Sequence, residues 1–230
     1  MANVILEIRS AAGGDEAKIW AADLLRLYLK FSQKQGWEVK VITENRLRIR
    51  GSDVWEKLKY EAGVHRVQRV PVTEKHGRIH TSTATVAVLP DSTVQEIQIN
   101  PQDLEWQFFR SSTQGGQNVQ KVSTAVRLRH KPTNTIVTCQ AHRTQEQNRT
   151  SALVSLKNQL QQTKEQKHQS QLAETRREAV GQGMRAEKIR TYNYSKNRVT
   201  DHRLGKKFRL EDIMEGNLGK MIKKIQESNS

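Results

Sequence analysis

The sequence predicts an α+β fold: a mixed α/β unit followed by a smaller α/β unit that carries a long helix at its C-terminal end. Three observations point there. Short runs that alternate apolar and polar residues occur before residue 100 and again between residues 104 and 140, as strands with one buried face require. The stretches after Asp15 and after Thr144 instead repeat apolar residues at helical spacing. The charge is also divided unevenly. Of a formal net charge of +15, residues 1–100 carry 15 Lys/Arg against 12 Asp/Glu, residues 101–210 carry 21 against 8, and residues 211–230 carry 3 against 4. A chain of 230 residues can bury two modest cores. Domains are expected over 1–100 and 101–183, with a final segment, 184–230, whose helical part packs on the first.

Taken in order, Val4–Arg9 reads as a strand and Ser10–Glu16 as a turn, with Asp15 as the expected N-cap of the next helix. Trp20, Leu24, Leu27, Tyr28 and Phe31 share one face of that helix, and Gly36 stops it. Glu38–Thr43 and Arg46–Arg50 alternate like half-buried strands, and Val54–Tyr60 suits a short helix. Residues 63–82 are rich in hydrogen-bonding side chains and thin in apolar ones. Pro71 stiffens their middle, so a ligand-reading loop and a bare polar hairpin end are both open. Strands are expected at Thr83–Leu89, Val94–Ile99 and Leu104–Phe109, and a hairpin at Ala125–His130 and Thr135–Gln140. A Gln/Lys-rich helix runs from Thr144 to about Ala179, with Leu153, Leu156, Leu160 and Leu172 as its seam, and Gly181-Gln-Gly183 breaks it. Arg/Lys-dense residues 184–209 follow, then a closing helix near Leu210–Glu215 that breaks at Gly216 or Gly219.

The strong basic excess calls for an acidic partner, nucleic acid ahead of membrane. Cys139 is the only cysteine, so a disulfide framework is excluded and a buried strand thiol expected. His65, His76, His80, His130, His142, His168 and His202 are scattered without metal-ligand spacing, so neither a metal nor a cofactor is expected. Nucleophile-elbow, phosphate-loop and zinc-protease motifs are missing. No long apolar run or signal-peptide pattern occurs, and a soluble protein of a reducing compartment is expected.

Within the basic segment lies Gly115-Gly116-Gln117, between Arg110 and Lys121. Two adjacent glycines let the backbone approach another molecule closely. Glutamine cannot serve as a general base, but its amide donates and accepts, and its backbone N–H can support developing negative charge. In isolation the tripeptide fits a solvent-exposed surface turn better, and the rest of the chain has to decide. Read as functional, such a loop would assist ester hydrolysis inside a site that another molecule supplies.

The whole chain resembles the bacterial-type class I peptide chain release factors. The blocks Gly13–Glu16, Gly63–Pro71, Gly77–Ser82, Gly115–Gln117 and Arg198–Arg203 are similar to that family's and follow its order. Pro71-Val72-Thr73 looks like the tripeptide of the branch that reads UAA and UAG. The resemblance implies a codon-recognition domain over 1–100 and a Gly-Gly-Gln domain over 101–183, followed by a switch-like segment. It also implies that Gly13 and Glu16 select the first uracil and that Thr73 contacts the first two bases. His80 would stack on the second base, with Gln68 and Thr81 reading the third. Gly115, Gly116 and Gln117 would act in peptidyl-tRNA hydrolysis, with Gln117 N5-methylated by a glutamine methyltransferase.

The implied partners are the ribosome, the mRNA stop codon and peptidyl-tRNA. A cytoplasmic monomer without membrane contact is expected. Gln114, Asn118 and Gln120 depart from the family's usual loop, and only twelve residues precede Gly13 where the family has a helical domain, so a version lacking that domain is expected. Codon-independent ribosome rescue is the alternative function, and a general RNA-binding module a third. The linkers near 90–103 and 181–203 are expected to act as hinges.

Overall fold

The computed structural model describes residues 2–71, 74, 76–91, 97–111, 122–181 and 183–228. The chain divides into two compact units: Met1–Ser92 together with Leu172–Ser230, and Thr93–Gln171.

The first unit is built on a sheet of eight strands among the described residues. These are β1 (Ala2–Ser10), β2 (Glu38–Thr43), β3 (Arg46–Gly51), β4 (Gly63–Arg69), β5 (His80–Pro90), β9 (Lys188–Asn193), β10 (Arg198–Asp201) and β11 (Lys206–Arg209). Their order across the sheet is β11-β10-β9-β4-β5-β1-β3-β2, antiparallel except where β9 joins β4 in parallel. Strand alternation puts Val4, Leu6 and Ile8 of β1 on one face with Leu47, Ile49, Val67, Val86, Tyr192 and Val199. Helix α1 (Asp15–Lys34) buries Trp20, Leu24, Leu27, Tyr28 and Phe31 against that face, as its spacing predicts. Burial of this stripe, more than helix propensity, fixes α1; truncating Phe31 to alanine would cost about 3–5 kcal/mol. The short helices α2 (Val54–Leu58), α4 (Leu210–Met214) and α5 (Gly219–Ser228) complete the layer, and the break between the last two falls at Gly216.

The second unit pairs a three-stranded antiparallel sheet, β6 (Leu104–Phe109), β7 (Ala125–His130) and β8 (Thr135–Cys139), with α3 (Gln145–Val180). Val126 and Leu128 of β7 pack on Ala152, Leu156 and Leu160 of α3. From Leu172 onward α3 is counted with the first unit. None of the described helices is long and apolar enough to cross a membrane.

Several expectations need correction. Gly14 occupies the N-cap position of α1 and Asp15 is its first helical residue, with a carboxylate bound to Lys18 at 3.0 Å. β2 is almost wholly exposed instead of half-buried, because it is the sheet's edge strand, and its register shifts between Val41 and Thr43. Half of the polar run 63–82 is strand: β4 and β5 leave only residues 70–79 between them. Residues 97–100 have no regular structure, so the described part of the strand expected over Val94–Ile99 is absent; residues 92–96 lie outside the described residues. The linker expected over 181–203 contains β9 and β10, which are integral to the first sheet.

Candidate functional site

The β4–β5 hairpin and the N-terminal turn of α1 form one edge of the first unit. Register pairs Gln68 with Thr81, and Arg69 with His80. The turn before α1 is zipped to β5: Ala11 N–H donates to Thr83 O at 2.9 Å, Thr83 N–H to Ala12 O at 2.8 Å, and Ala12 N–H to Thr83 Oγ1 at 3.0 Å. Gly13 then sits at φ 136°, so close to Ser82 that a Cβ would lie 2.3 Å from its Oγ. Only glycine combines that backbone angle with that approach.

In the first turn of α1, Glu16 is buried at 4 % exposure, and Arg69 Nε donates to its Oε1 at 2.6 Å. Arg69 Nη1 also donates to Asp23 Oδ2 at 2.7 Å, and the guanidinium lies 5.1 Å from the Tyr194 ring centre. Gln68 Oε1 accepts from Asn193 Nδ2 at 3.1 Å, which orients its amide. On the loop side, Glu74 N–H donates to Pro71 O at 3.1 Å and Glu74 Oε1 accepts from His76 N–H at 2.8 Å. Glu74 Oε2 lies 2.6 Å from His80 Nε2, and the imidazole is 46 % exposed. The His76 backbone donor, with Arg78 and His80, holds the Glu74 carboxyl below its usual range.

Gly13, Glu16, Gln68, Pro71, His80 and Thr81 are thus brought to one edge, from three separate stretches of sequence. Val72 and Thr73 lie outside the described residues. Physically, the edge offers a half-exposed ring, short polar side chains and a helix tip without a side-chain cap, the equipment for reading single-stranded RNA bases.

Behind the edge lies a buried polar network. Arg190 donates from Nη1 and Nη2 to Glu61 and from Nε to Asp201 Oδ2 at 2.9 Å, all three side chains being fully buried. Arg203 Nη2 reaches Asp201 Oδ2 at 2.8 Å. Tyr28 OH donates to Glu61 Oε2 at 2.9 Å. His65 Nε2 lies 3.0 Å from the Glu61 carbonyl, which can only accept, so that nitrogen carries the proton and Nδ1 accepts from Tyr192 OH at 3.0 Å. Burial, reinforced by the Arg190 charge, lowers His65 to about 4. Burial would raise Asp201, but the Arg203 and Arg190 bonds prevail and hold it at about 2. Among the described residues no group of three or more His, Cys, Asp or Glu could hold a metal ion.

In the second unit the Gly115–Gln117 loop lies outside the described residues, but both of its flanks are described. Phe109 of β6 pairs with Ala125 of β7, closing the loop's base. Asn148, fully buried in the first turn of α3, secures the downstream flank. Its Nδ2 donates to Thr124 O and His142 O, each at 2.9 Å, and its Oδ1 accepts from His142 N–H at 2.9 Å. Gln145 Nε2 donates to Ser123 O at 3.1 Å. Cys139 is half-buried, with its thiol 3.5 Å from Asn148 Oδ1.

Sequence reasoning missed the supporting residues Glu61, Arg69, Glu74, Asn148, Arg190 and Asp201. Arg69 and Asp201 stand inside family-like blocks, which was their signal; Glu61 and Asn148 gave none.

Residues 1–86 match the PCRF domain family and residues 92–203 the RF-1 domain family. Curated relatives named peptide chain release factor 1 include those of Ligilactobacillus salivarius (strain UCC118) and Aquifex aeolicus (strain VF5). Each is 49% identical over 231 residues, covering 96% of this chain and 64% of the relative. Among solved structures, RF2 of Thermus thermophilus superposes with a TM-score of 0.54 at 36% identity, covering 96% of this chain and 66% of that one. The chain therefore spans just under two thirds of the length of these curated relatives.

Proposed function

The chain belongs to the peptide chain release factor family, and from that membership we propose that it terminates translation: it reads UAA and UAG in the ribosomal A site and triggers hydrolysis of the peptidyl-tRNA ester. What supports the reading best is the convergence of Gly13, Glu16, Gln68, His80 and Thr81 on one edge, since codon-independent rescue has no use for such an edge. Gly13 and Glu16 select the first uracil, Thr73 contacts the first two bases, and Gln68 and Thr81 read the third. The Pro71-Val72-Thr73 tripeptide carries the choice of UAA and UAG.

Hydrolysis belongs to the Gly115-Gly116-Gln117 loop acting with ribosomal RNA. Water attacks the ester carbonyl and the bond to the 3′ oxygen of the tRNA breaks. The Gln117 N–H donates to that oxygen as negative charge develops on it, while its side chain admits water and excludes bulkier nucleophiles. N5-methylation of Gln117 by a methyltransferase, a monomeric state and action in the cytoplasm belong to the same proposal.

The test is peptide release from ribosomes programmed with UAA, UAG, UGA and a sense codon. Release on UAA and UAG alone is expected; equal release on every codon would favour rescue. Gln117→Pro removes the N–H donor and should lower release at least about 10²-fold with ribosome binding retained.

A further inference from the structure

We infer that Arg69 is a positioning residue that sets discrimination for uracil at the first codon position, an inference that rests on the function proposed above. Uracil presents an N3–H donor beside an O4 acceptor, whereas cytosine presents the reverse pair. Backbone groups at a helix tip can tell the two apart only if the tip is held to within about 0.5 Å, because a misplaced donor loses its hydrogen-bond geometry.

Two devices hold the tip of α1. One is the backbone zip between Ala11–Gly13 and β5. The other is Arg69, whose Nε and Nη1 grip Glu16 at 2.6 Å and Asp23 at 2.7 Å, seven residues apart on the same helix. Its guanidinium is itself confined, 5.1 Å from the Tyr194 ring centre and 6.0 Å from that of Trp20. Its side chain is only 14 % exposed, so these bonds are poorly screened.

Arg69 also follows Gln68 directly and faces His80 across the hairpin. A single side chain therefore ties the first-position element to the strand pair that carries the second- and third-position residues. The grip is not saturated: buried Glu16 Oε2 and Arg69 Nη2 have no hydrogen-bond partner among the described residues. A lysine would keep the charge but lose the planar fork that reaches two carboxylates in fixed directions.

The experiment measures release kinetics for the full chain and its Arg69→Lys and Asp23→Asn variants on ribosomes carrying UAA, CAA and UGA. For Arg69→Lys the KM on UAA should rise about tenfold, the loss of one charge-assisted bond, with kcat at saturation unchanged. The UAA-over-CAA ratio of kcat/KM should fall by a similar factor while the UAA-over-UGA ratio holds. Asp23→Asn, which removes one partner of Arg69 without touching a residue proposed to meet the codon, should shift the first ratio in the same direction by less.

A purely structural role would reduce the active fraction, lowering kcat and leaving both ratios alone; that result overturns the inference. So does a variant with wild-type KM and ratios, or one in which both ratios fall together. A wild-type chain that releases equally on all codons removes the proposed function itself, whereas a selective wild type with an indifferent Arg69→Lys removes only the role of Arg69.

Discussion

In the first unit the residues proposed to read the codon rest on buried charge, whereas in the second unit the flank of the hydrolytic loop rests on neutral amides. Glu61, Arg190, Asp201 and Arg203 interlock behind β4 and β9, and Arg69 repeats the device at the edge. Asn148 joins Thr124 and His142 to α3, and Gln145 adds a bond to Ser123. Buried ion pairs are costly to desolvate and costly to break, but they fix geometry in register and direction. A multiply bonded amide carries a smaller desolvation penalty and needs only one turn of helix to anchor it. The contrast fits the two proposed tasks. Discrimination between bases calls for a rigid frame, while the loop needs only a fixed base from which its tip enters a site walled by RNA.

The contrast is tested hardest at Arg190. Arg190→Ala leaves Glu61 and Asp201 buried without their shared cation, so unfolding of the first unit should become about 3–5 kcal/mol easier. Hydrogen exchange read separately over residues 2–91 and 97–171 checks this, and an equal loss in both units would dissolve the distinction.

Acid offers a gentler probe of the same frame. His65 titrates near 4 when folded, below its ordinary 6.5, so the unfolded chain binds the extra proton in between. Stability should therefore fall as pH drops from about 6.5 toward 4, by up to about 3 kcal/mol, and this contribution should level off below 4. Asp201, folded at about 2, adds a second loss only below about 4. Urea unfolding at stepped pH measures both. His65→Gln should flatten the first window; an unchanged slope would mean that another group titrates there.

In the second unit, Asn148→Ala strands the His142 and Thr124 backbone groups at a cost of about 1–3 kcal/mol. Release should then fall through kcat while ribosome affinity and codon ratios hold. A change in codon ratio instead would mean that the units do not divide the work in this way.

Legibility in the sequence followed the same division. The face of α1 was readable because Trp20, Leu24, Leu27, Tyr28 and Phe31 repeat at helical spacing and burial follows that spacing. The β7–β8 hairpin was readable for the corresponding strand reason. Gly13, Glu16, Gln68 and His80 could be nominated because their blocks resemble a family; Arg69 stands in one of those blocks, yet nothing in its spacing tells that it grips Glu16 and Asp23. Long-range ion pairs have no period: Glu61 and Arg190 stand 129 residues apart, and each alone looks like a surface charge. The polar run 63–82 misled for the same reason, since His65 is polar and fully buried because Tyr192 and the Glu61 carbonyl satisfy it.

The smallest effect separates two adjacent residues at the helix start. A capping aspartate removed to alanine would cost about 1 kcal/mol. Asp15 is not the cap, however: its side chain is exposed and pairs with Lys18, an exposed pair worth at most about 0.5 kcal/mol. Gly14, at φ 60° and ψ −134°, adopts a backbone that a side chain resists, so Gly14→Ala should cost about 1–3 kcal/mol. Thermal unfolding of the two variants should place Asp15→Ala close to the parent and Gly14→Ala clearly below it. Because Gly14 sets the entry angle of α1, Gly14→Ala should also raise the KM for UAA, which Asp15→Ala should leave alone. If Asp15→Ala proves the costlier change, the helix tip is held by a carboxylate after all, and charge reaches one residue further toward the tip than Arg69 takes it.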